Sequence, residues 1–190
     1  MANLIVISGP HAVGKMTVAE KLKEKIGYSL MTNHDSIELS DKIFGIGTSA
    51  QKIANRVIRN AIFDIAIENN MNLIFTFITV FDQQDDIDYL NKLKHRFEQT
   101  GGTFYFVELK AALEIRLQRN TSPHRLESKL TKNNIEESNR DLLETMKKYR
   151  LNSNEDEFVC QNHLKIDNTN LNPEEVADIV IKEFDLNRGK

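Results

Sequence analysis

Tryptophan is absent from the 190-residue chain, cysteine occurs once and proline three times. The lone Cys160 excludes an internal disulfide framework and fits a reducing, cytoplasmic setting, and no metal-ligand spacing surrounds it. Positive charge is not in excess: 25 Lys and Arg stand against 28 Asp and Glu, for a net charge of −3. No broad cationic face is then available to grip a nucleic-acid duplex or an anionic membrane. The longest apolar run, Leu73 to Phe81, carries two threonines and falls well short of a membrane span. The opening Met-Ala-Asn-Leu-Ile-Val-Ile-Ser has no basic n-region and does not read as a signal peptide. Internal repeats and low-complexity tracts are missing too. What is present, 40% hydrophobic and 28% charged residues, suits one compact domain over residues 1–190 and argues against long disorder.

The pattern alternates strands with helices. Leu4-Ile5-Val6-Ile7 is a short β-branched run of the kind buried on both faces of a parallel sheet. Val18, Leu22 and Ile26 follow at helical spacing, and Gly27 stands where a C-terminal cap belongs. Tyr28–Met31 reads as a second strand. Residues 36–70 read as mostly helical, with Ile53, Val57, Ile58, Ala61, Ile62 and Ile65 in a wide apolar stripe. Strands are predicted over 73–78, 103–107 and 163–167, and helices over 83–99, 111–119 and 134–150. A basic, polar stretch occupies 120–132, residues 152–157 read as an exposed loop, and Pro173 opens a last helix. Strands separated by helices imply a parallel, doubly wound α/β sheet.

Gly9-Pro10-His11-Ala12-Val13-Gly14-Lys15 matches the G-x-x-x-x-G-K core of a phosphate-binding loop, and it lies between an apolar strand and an amphipathic helix as that motif requires. The two glycines let successive N–H groups point into one concavity, and the helix adds its positive N-terminal end. Lys15 then supplies a point charge for the β- and γ-phosphates of ATP. The next position departs from the pattern. Where Ser or Thr would ligate Mg²⁺ the chain has Met16, so the ion is expected to be held mainly by nucleotide and water, and no residue is assigned to metal. Thr17 follows, its hydroxyl within reach of an α-phosphate. No Asn-Lys-x-Asp run is present for guanine recognition, which argues against a GTPase switch.

With these residues the chain resembles the P-loop nucleoside and nucleotide kinase superfamily, in its shikimate-kinase-like or adenylate-kinase-like branch. The resemblance implies a three-layer α/β/α fold with five parallel strands in the order 2-3-1-4-5, an acceptor-binding helical region about 33–65 and a small lid about 120–132. Shikimate kinases carry an Asp-x-Asp pattern after the second strand, and this chain reads Asn33-His34-Asp35. By resemblance Asp35 sits beside an acceptor hydroxyl, where a carboxylate can take its proton. Read from the residues alone, Asp35 equally suits a helix cap, and His34 is a candidate substrate contact. The resemblance also implies that Arg116, Arg119 and Arg125, with Lys129, stack on adenine and screen the γ-phosphoryl group. Asn168 and Thr169 fall at the loop that lines the adenine edge. Arg56 and Arg59 are candidates for meeting an anionic acceptor, and Thr76 and Asp82 for the floor of the site or the water shell of Mg²⁺.

Two departures weigh against shikimate itself. Pro123-His124-Arg125-Leu126 replaces the usual Arg-Pro-Leu of the lid, and the third strand runs into Thr76-Phe77-Ile78-Thr79 with no glycine pair. The expectation is an ATP-dependent kinase of a small hydroxyl acceptor, with Lys15, Asp35, Arg119 and Arg125 in the catalytic roles. The loop residues Gly9 to Thr17 together with Arg116, Asn168 and Thr169 would bind nucleotide. The alternatives are a nucleoside or nucleoside-monophosphate kinase, or a nucleotide-binding regulatory module without a small acceptor. A nucleic-acid end kinase is disfavoured by the charge. The protein is expected as a monomer or homodimer with no membrane partner.

Overall fold

A computed structural model describes residues 1–121 and 135–186. Five strands form one all-parallel sheet: β1 Leu4–Ser8, β2 Ser29–Met31, β3 Leu73–Thr76, β4 Phe104–Lys110 and β5 His163–Asp167, ordered β2-β3-β1-β4-β5. Seven helices surround it among the described residues: α1 Lys15–Ile26, α2 Asn33–Phe44, α3 Ser49–Glu68, α4 Gln84–Glu98, α5 Leu113–Asn120, α6 Ile135–Lys148 and α7 Pro173–Glu183. The expected strand order is the observed one. The stretch expected as a lid, with Arg125 and Lys129, falls beyond Thr121 and lies outside the described residues.

The sheet has two buried faces because side chains alternate along each strand. Ile5 and Ile7 of β1, with Ile74 and Val107 beside them, pack under α1 and α7 through Val18, Leu22, Val176 and Val180. Leu4 and Val6 point to the other face, where α3 and α4 close over a phenylalanine-rich core. Phe63 meets Phe75 edge-on with ring centroids 5.3 Å apart, and Phe106 lies 4.9 Å from Phe158. Burying each such ring is worth about 2 kcal/mol. The two faces thus hold β1 in register with Leu73 on one side and Phe104 on the other.

The long helical stretch differs from expectation in two ways. It breaks at residues 45–48, where Gly45 and Gly47 take positive φ and Thr48 caps α3 by accepting the Gln51 N–H at 3.1 Å. Its apolar stripe is also turned outward: Ile53, Val57 and Ile65 are 62%, 60% and 55% exposed, whereas Gln51 and Arg59 are buried. The cause is the partner helix. α3 packs on α2 through Ser36 and Ser40, whose hydroxyls accept from Arg59 Nε at 2.8 Å and Gln51 Nε2 at 3.2 Å. Phe63 and Ala66, nearer its C-terminal end, join the phenylalanine core from α3, with Ile62 and Ile67 packed against it.

Candidate functional site

β1 delivers the chain to Gly9, whose φ of 138° and close approach to β4 both require glycine: a Cβ there would stand 2.4 Å from the Leu109 carbonyl oxygen. Gly14, at φ 104°, swings the backbone into α1, whose first N–H groups have no intrahelical partner. The loop wraps one end of a cavity of about 260 Å³ lined by His11, Ala12, Val13, Gly14, Lys15, Met16 and Thr17. Gly9 and Pro10 do not line it; their carbonyl oxygens accept from Lys15 Nζ at 2.6 and 2.8 Å. The ammonium is thereby folded over the loop's own main chain. Behind the loop, Ser8 Oγ donates to Thr79 Oγ1 at 2.8 Å, with both residues fully buried.

The opposite wall comes from the β2–α2 junction and the end of β3: Thr32, Asn33, His34, Thr76 and Ile78. The Asn33 N–H donates to Thr76 Oγ1 at 3.0 Å, tying the first turn of α2 to β3. Asp35 is not part of this wall. Its exposed carboxylate accepts the Thr32 N–H at 2.6 Å, while the Thr32 side chain accepts from the backbone of Asp35, a complete capping box. Of the two readings of Asp35, the helix cap is the one the geometry shows. The residue before it, His34, lines the cavity instead.

The arginines are placed differently from expectation. Arg119 lines the cavity, but its donors reach main-chain carbonyls, Val13 at 3.1 Å and Asn168 at 2.8 Å, so it braces the loop against the β5–α7 connection. Arg116 lies behind the loop, 3% exposed. Its Nε donates to the His11 carbonyl at 2.8 Å, and Nη1 meets Met146 Sδ of α6 at 3.0 Å, while Nη2 is buried without a partner. Burial without a nearby carboxylate pushes its pKa down to about 10. A stacking face for adenine is not what this position offers. Asn168 does line the cavity, its Nδ2 donating to the Val13 carbonyl at 2.9 Å and its buried Oδ1 unpartnered. Thr169 instead accepts the Ala112 N–H at 2.9 Å and donates to Asp167, locking the turn after β5.

A second, larger cleft of about 750 Å³ opens between α3 and α4, beside Phe77. Arg59 lines this cleft and reaches Asn33 on the wall of the first cavity. The guanidinium lies over the Phe75 and Phe77 rings, 5.5 and 5.8 Å from their centroids, and Nη2 donates to Asn33 Oδ1 at 2.5 Å. Burial lowers its pKa, and among the described residues no carboxylate pairs with it. The half-buried Asp86, whose carboxylate accepts the Val80 N–H at 2.8 Å, is raised by that burial. Sequence reasoning named Arg59 only as one of two options, because burial of an arginine within an apolar-looking helix leaves no periodic signal. Asn33 carries no such signal either, since an Asn after a strand equally suits an ordinary turn.

No family model matches the sequence, and no curated protein matches it. Solved structures do match the fold over nearly the whole chain. A gluconokinase from Sinorhizobium meliloti superposes with a TM-score of 0.60 at 16% identity, covering 96% of this chain and 91% of that one. A shikimate kinase from Acinetobacter baumannii, in complex with shikimate, gives 0.55 at 18% identity over 97% and 93%. The tunicamycin resistance protein of Deinococcus radiodurans gives 0.58 at 20% identity over 100% and 99%. Glycine loop, strand order and these superpositions agree: the chain has the fold of the P-loop kinases.

Proposed function

We propose that the protein is an ATP-dependent phosphotransferase that moves the γ-phosphoryl group to a hydroxyl of a small, anionic acceptor. The observation that carries this reading is the cavity itself: a glycine loop with Lys15 at one end, and Asn33, His34 and Thr76 facing it at the other. Loop amides and the lysine hold the phosphates, and catalysis is mostly positioning and charge stabilisation. The acceptor enters from the cleft beside Arg59. Arg59 already has Asp86 as a nearby counter-charge and Ser36 and Asn33 as hydrogen-bond acceptors, and an acceptor carboxylate or phosphate adds a direct charge-assisted pair in the cleft. With Asp35 drawn into the cap, His34 is the side chain that meets the acceptor hydroxyl. Arg119 holds the nucleotide-side wall together. The gluconokinase and shikimate kinase folds support an alcohol acceptor, while the missing glycine pair after β3 argues against shikimate.

Among the described residues lining the cavity, none supplies magnesium with a charged ligand. Met16 offers no oxygen, the Thr17 hydroxyl donates to the Gly14 carbonyl at 2.9 Å, and the described residues lining the cavity include no carboxylate. The residues do not fit a protein-held ion, so the metal arrives with the nucleotide and no step is assigned to it.

A nucleoside-monophosphate acceptor is the second reading, favoured by the size of the cleft, along which Lys52, Arg56 and Arg96 stand together with Asp85, Asp86 and Asp88. Transfer of label from γ-labelled ATP to a metabolite mixture, and thermal shifts with sugar acids, nucleosides and nucleoside monophosphates, separate the two. Lys15→Ala is expected to weaken ATP binding at least a hundredfold. His34→Gln should lower turnover at least tenfold, whereas Asp35→Asn stays within about threefold of wild type. ATP binding with no transfer to any acceptor would overturn the assignment in favour of a regulatory module.

A further inference from the structure

The inner side of α3 is a polar ladder with one rung open. Gln51, Asn55 and Arg59 stand four residues apart and so share a face of the helix. Gln51 donates to the Ser40 hydroxyl and Arg59 to the Ser36 hydroxyl, which ties both to α2. Asn55, between them, has no such partner: its Oδ1 is buried and accepts no hydrogen bond, although the residue lines the cleft between α3 and α4. On the other wall, Tyr89 of α4 shows the complementary deficit. Its hydroxyl feels the charge of Arg59, but the group is buried and its proton has no acceptor. One wall of the cleft thus lacks a donor and the other an acceptor. Folded proteins complete almost all buried polar groups, so two open ones on a single cleft call for a reason.

Resting on the phosphotransferase reading above, we propose that Asn55 and Tyr89 select the acceptor, and that it is a polyhydroxylated monocarboxylic acid. A hydroxyl group is at once donor and acceptor. Hydroxyls of the acceptor beyond the one that is phosphorylated therefore donate to Asn55 Oδ1 and accept from Tyr89. The terminal torsion of an Asn side chain is broad, and a turn about it presents Oδ1 to the cleft. A nucleoside monophosphate suits these walls less well, for two reasons. Its base needs an open aromatic face, and the Phe77 ring centre already has Phe75 at 5.7 Å, Tyr89 at 5.3 Å and the Arg59 guanidinium at 5.8 Å. Its phosphate is a dianion, and Asp85, Asp86 and Asp88 line the same cleft as Arg59, so a single carboxylate charge meets less repulsion. The transfer itself is unchanged: a hydroxyl oxygen of the acid takes the γ-phosphoryl group, ADP leaves and the hydroxyl proton is released.

Steady-state kinetics of the full chain with ATP and aldonic acids, 6-hydroxyhexanoate or AMP test this. An aldonic acid should exceed the other two acceptors in kcat/KM by at least about tenfold, because a site built to hydrogen-bond hydroxyls rejects an analogue without them. Asn55→Leu should raise the KM for that aldonic acid about tenfold with ATP KM unchanged, and should alter kcat/KM for 6-hydroxyhexanoate by less than about twofold. Its urea midpoint should equal or exceed that of wild type, since an orphaned carbonyl is removed. Tyr89→Phe should raise the same KM about fivefold. Four results overturn the selection by Asn55 and Tyr89 while leaving the phosphotransferase standing: 6-hydroxyhexanoate or AMP used as well as any aldonic acid, an Asn55→Leu penalty that persists without acceptor hydroxyls, a lowered midpoint with KM unchanged, or a Tyr89→Phe KM equal to that of wild type. ATP binding without transfer to any small acceptor overturns the phosphotransferase itself, and the selection with it.

Discussion

Two regions meet at the phosphate cavity and are built on opposite plans. From β1 through the glycine loop into α1, apolar residues face inward: Val18, Ala19, Leu22 and Ile26 of α1 are buried in the core. In the α2–α3 hairpin the buried residues between the helices are Ser36, Ser40, Gln51 and Arg59, while Leu39, Ile43, Ile53 and Val57 are exposed. The first region is shaped by the hydrophobic effect and by two glycines that admit the required turns. The second is shaped by hydrogen bonds to a guanidinium, which the proposed function places beside the acceptor. The contrast separates a half ordered by apolar packing from a half ordered around a buried charge.

The sharpest way to break the first plan is Gly9→Ala. Its Cβ would meet the Leu109 carbonyl oxygen at 2.4 Å in a backbone region alanine avoids, and we expect a loss of more than about 3 kcal/mol, read by urea denaturation. A smaller loss would show that β1 and β4 can separate at this point. The hairpin should respond in both function and stability. Arg59→Met keeps the volume and the contact with Phe75 and Phe77 but orphans Ser36 and Asn33, so we expect a stability loss of about 1–3 kcal/mol together with at least a tenfold rise in acceptor KM with ATP KM unchanged. Equal loss of both would show that Arg59 serves the fold alone.

Glu108 sharpens the comparison, because it is a buried charge whose partners are complete. Burial alone would raise its pKa, but hydrogen bonds from His163, Ser153 and Asn152 outweigh it and hold the carboxylate below its ordinary value. The Ser153 hydroxyl and N–H reach it at 2.7 and 2.8 Å and Asn152 Nδ2 at 2.9 Å. A depressed carboxylate pKa adds stability above its unfolded value, and that stability is lost as the pH falls through the folded one. Glu108→Gln should therefore cost about 2 kcal/mol at neutral pH, and the gap to wild type should close on acidification into and below the usual carboxylate range. A gap that is constant with pH would remove the charge from the account. The smallest effect is expected for Ser40→Ala with Gln51→Leu. Removing both partners of one rung leaves no orphaned group, so stability should change by about 1 kcal/mol or less in chemical denaturation.

How much was legible beforehand follows the same division. Leu4–Ile7 announced a central strand because four consecutive apolar residues need cover on both sides, and the loop was readable because its glycines and lysine are fixed by the shape of a phosphate chain. The fifth strand and the cap at Pro173 were readable for local reasons as well: Asn172 caps α7 with its own side chain. The orientation of α3 was not readable. Ile53, Val57, Ala61 and Ile65 recur every four residues, and that spacing says only that they share a side, not which way it faces. Asp35 was equally ambiguous, since a carboxylate three residues past Thr32 serves a cap or a site with the same local sequence.

Local order in the chain therefore determined the strands, their parallel alternation with helices and the phosphate grip, because each depends on neighbours a few residues apart. Which way α3 turns, where each arginine's donors point and whether Asp35 is spent on a cap were decided only in three dimensions. Those outcomes rest on partners between 3 and about 100 residues away, such as Thr32 for Asp35, Ser36 for Arg59 and Val13 for Arg119, and a buried polar group goes wherever its hydrogen bonds can be completed.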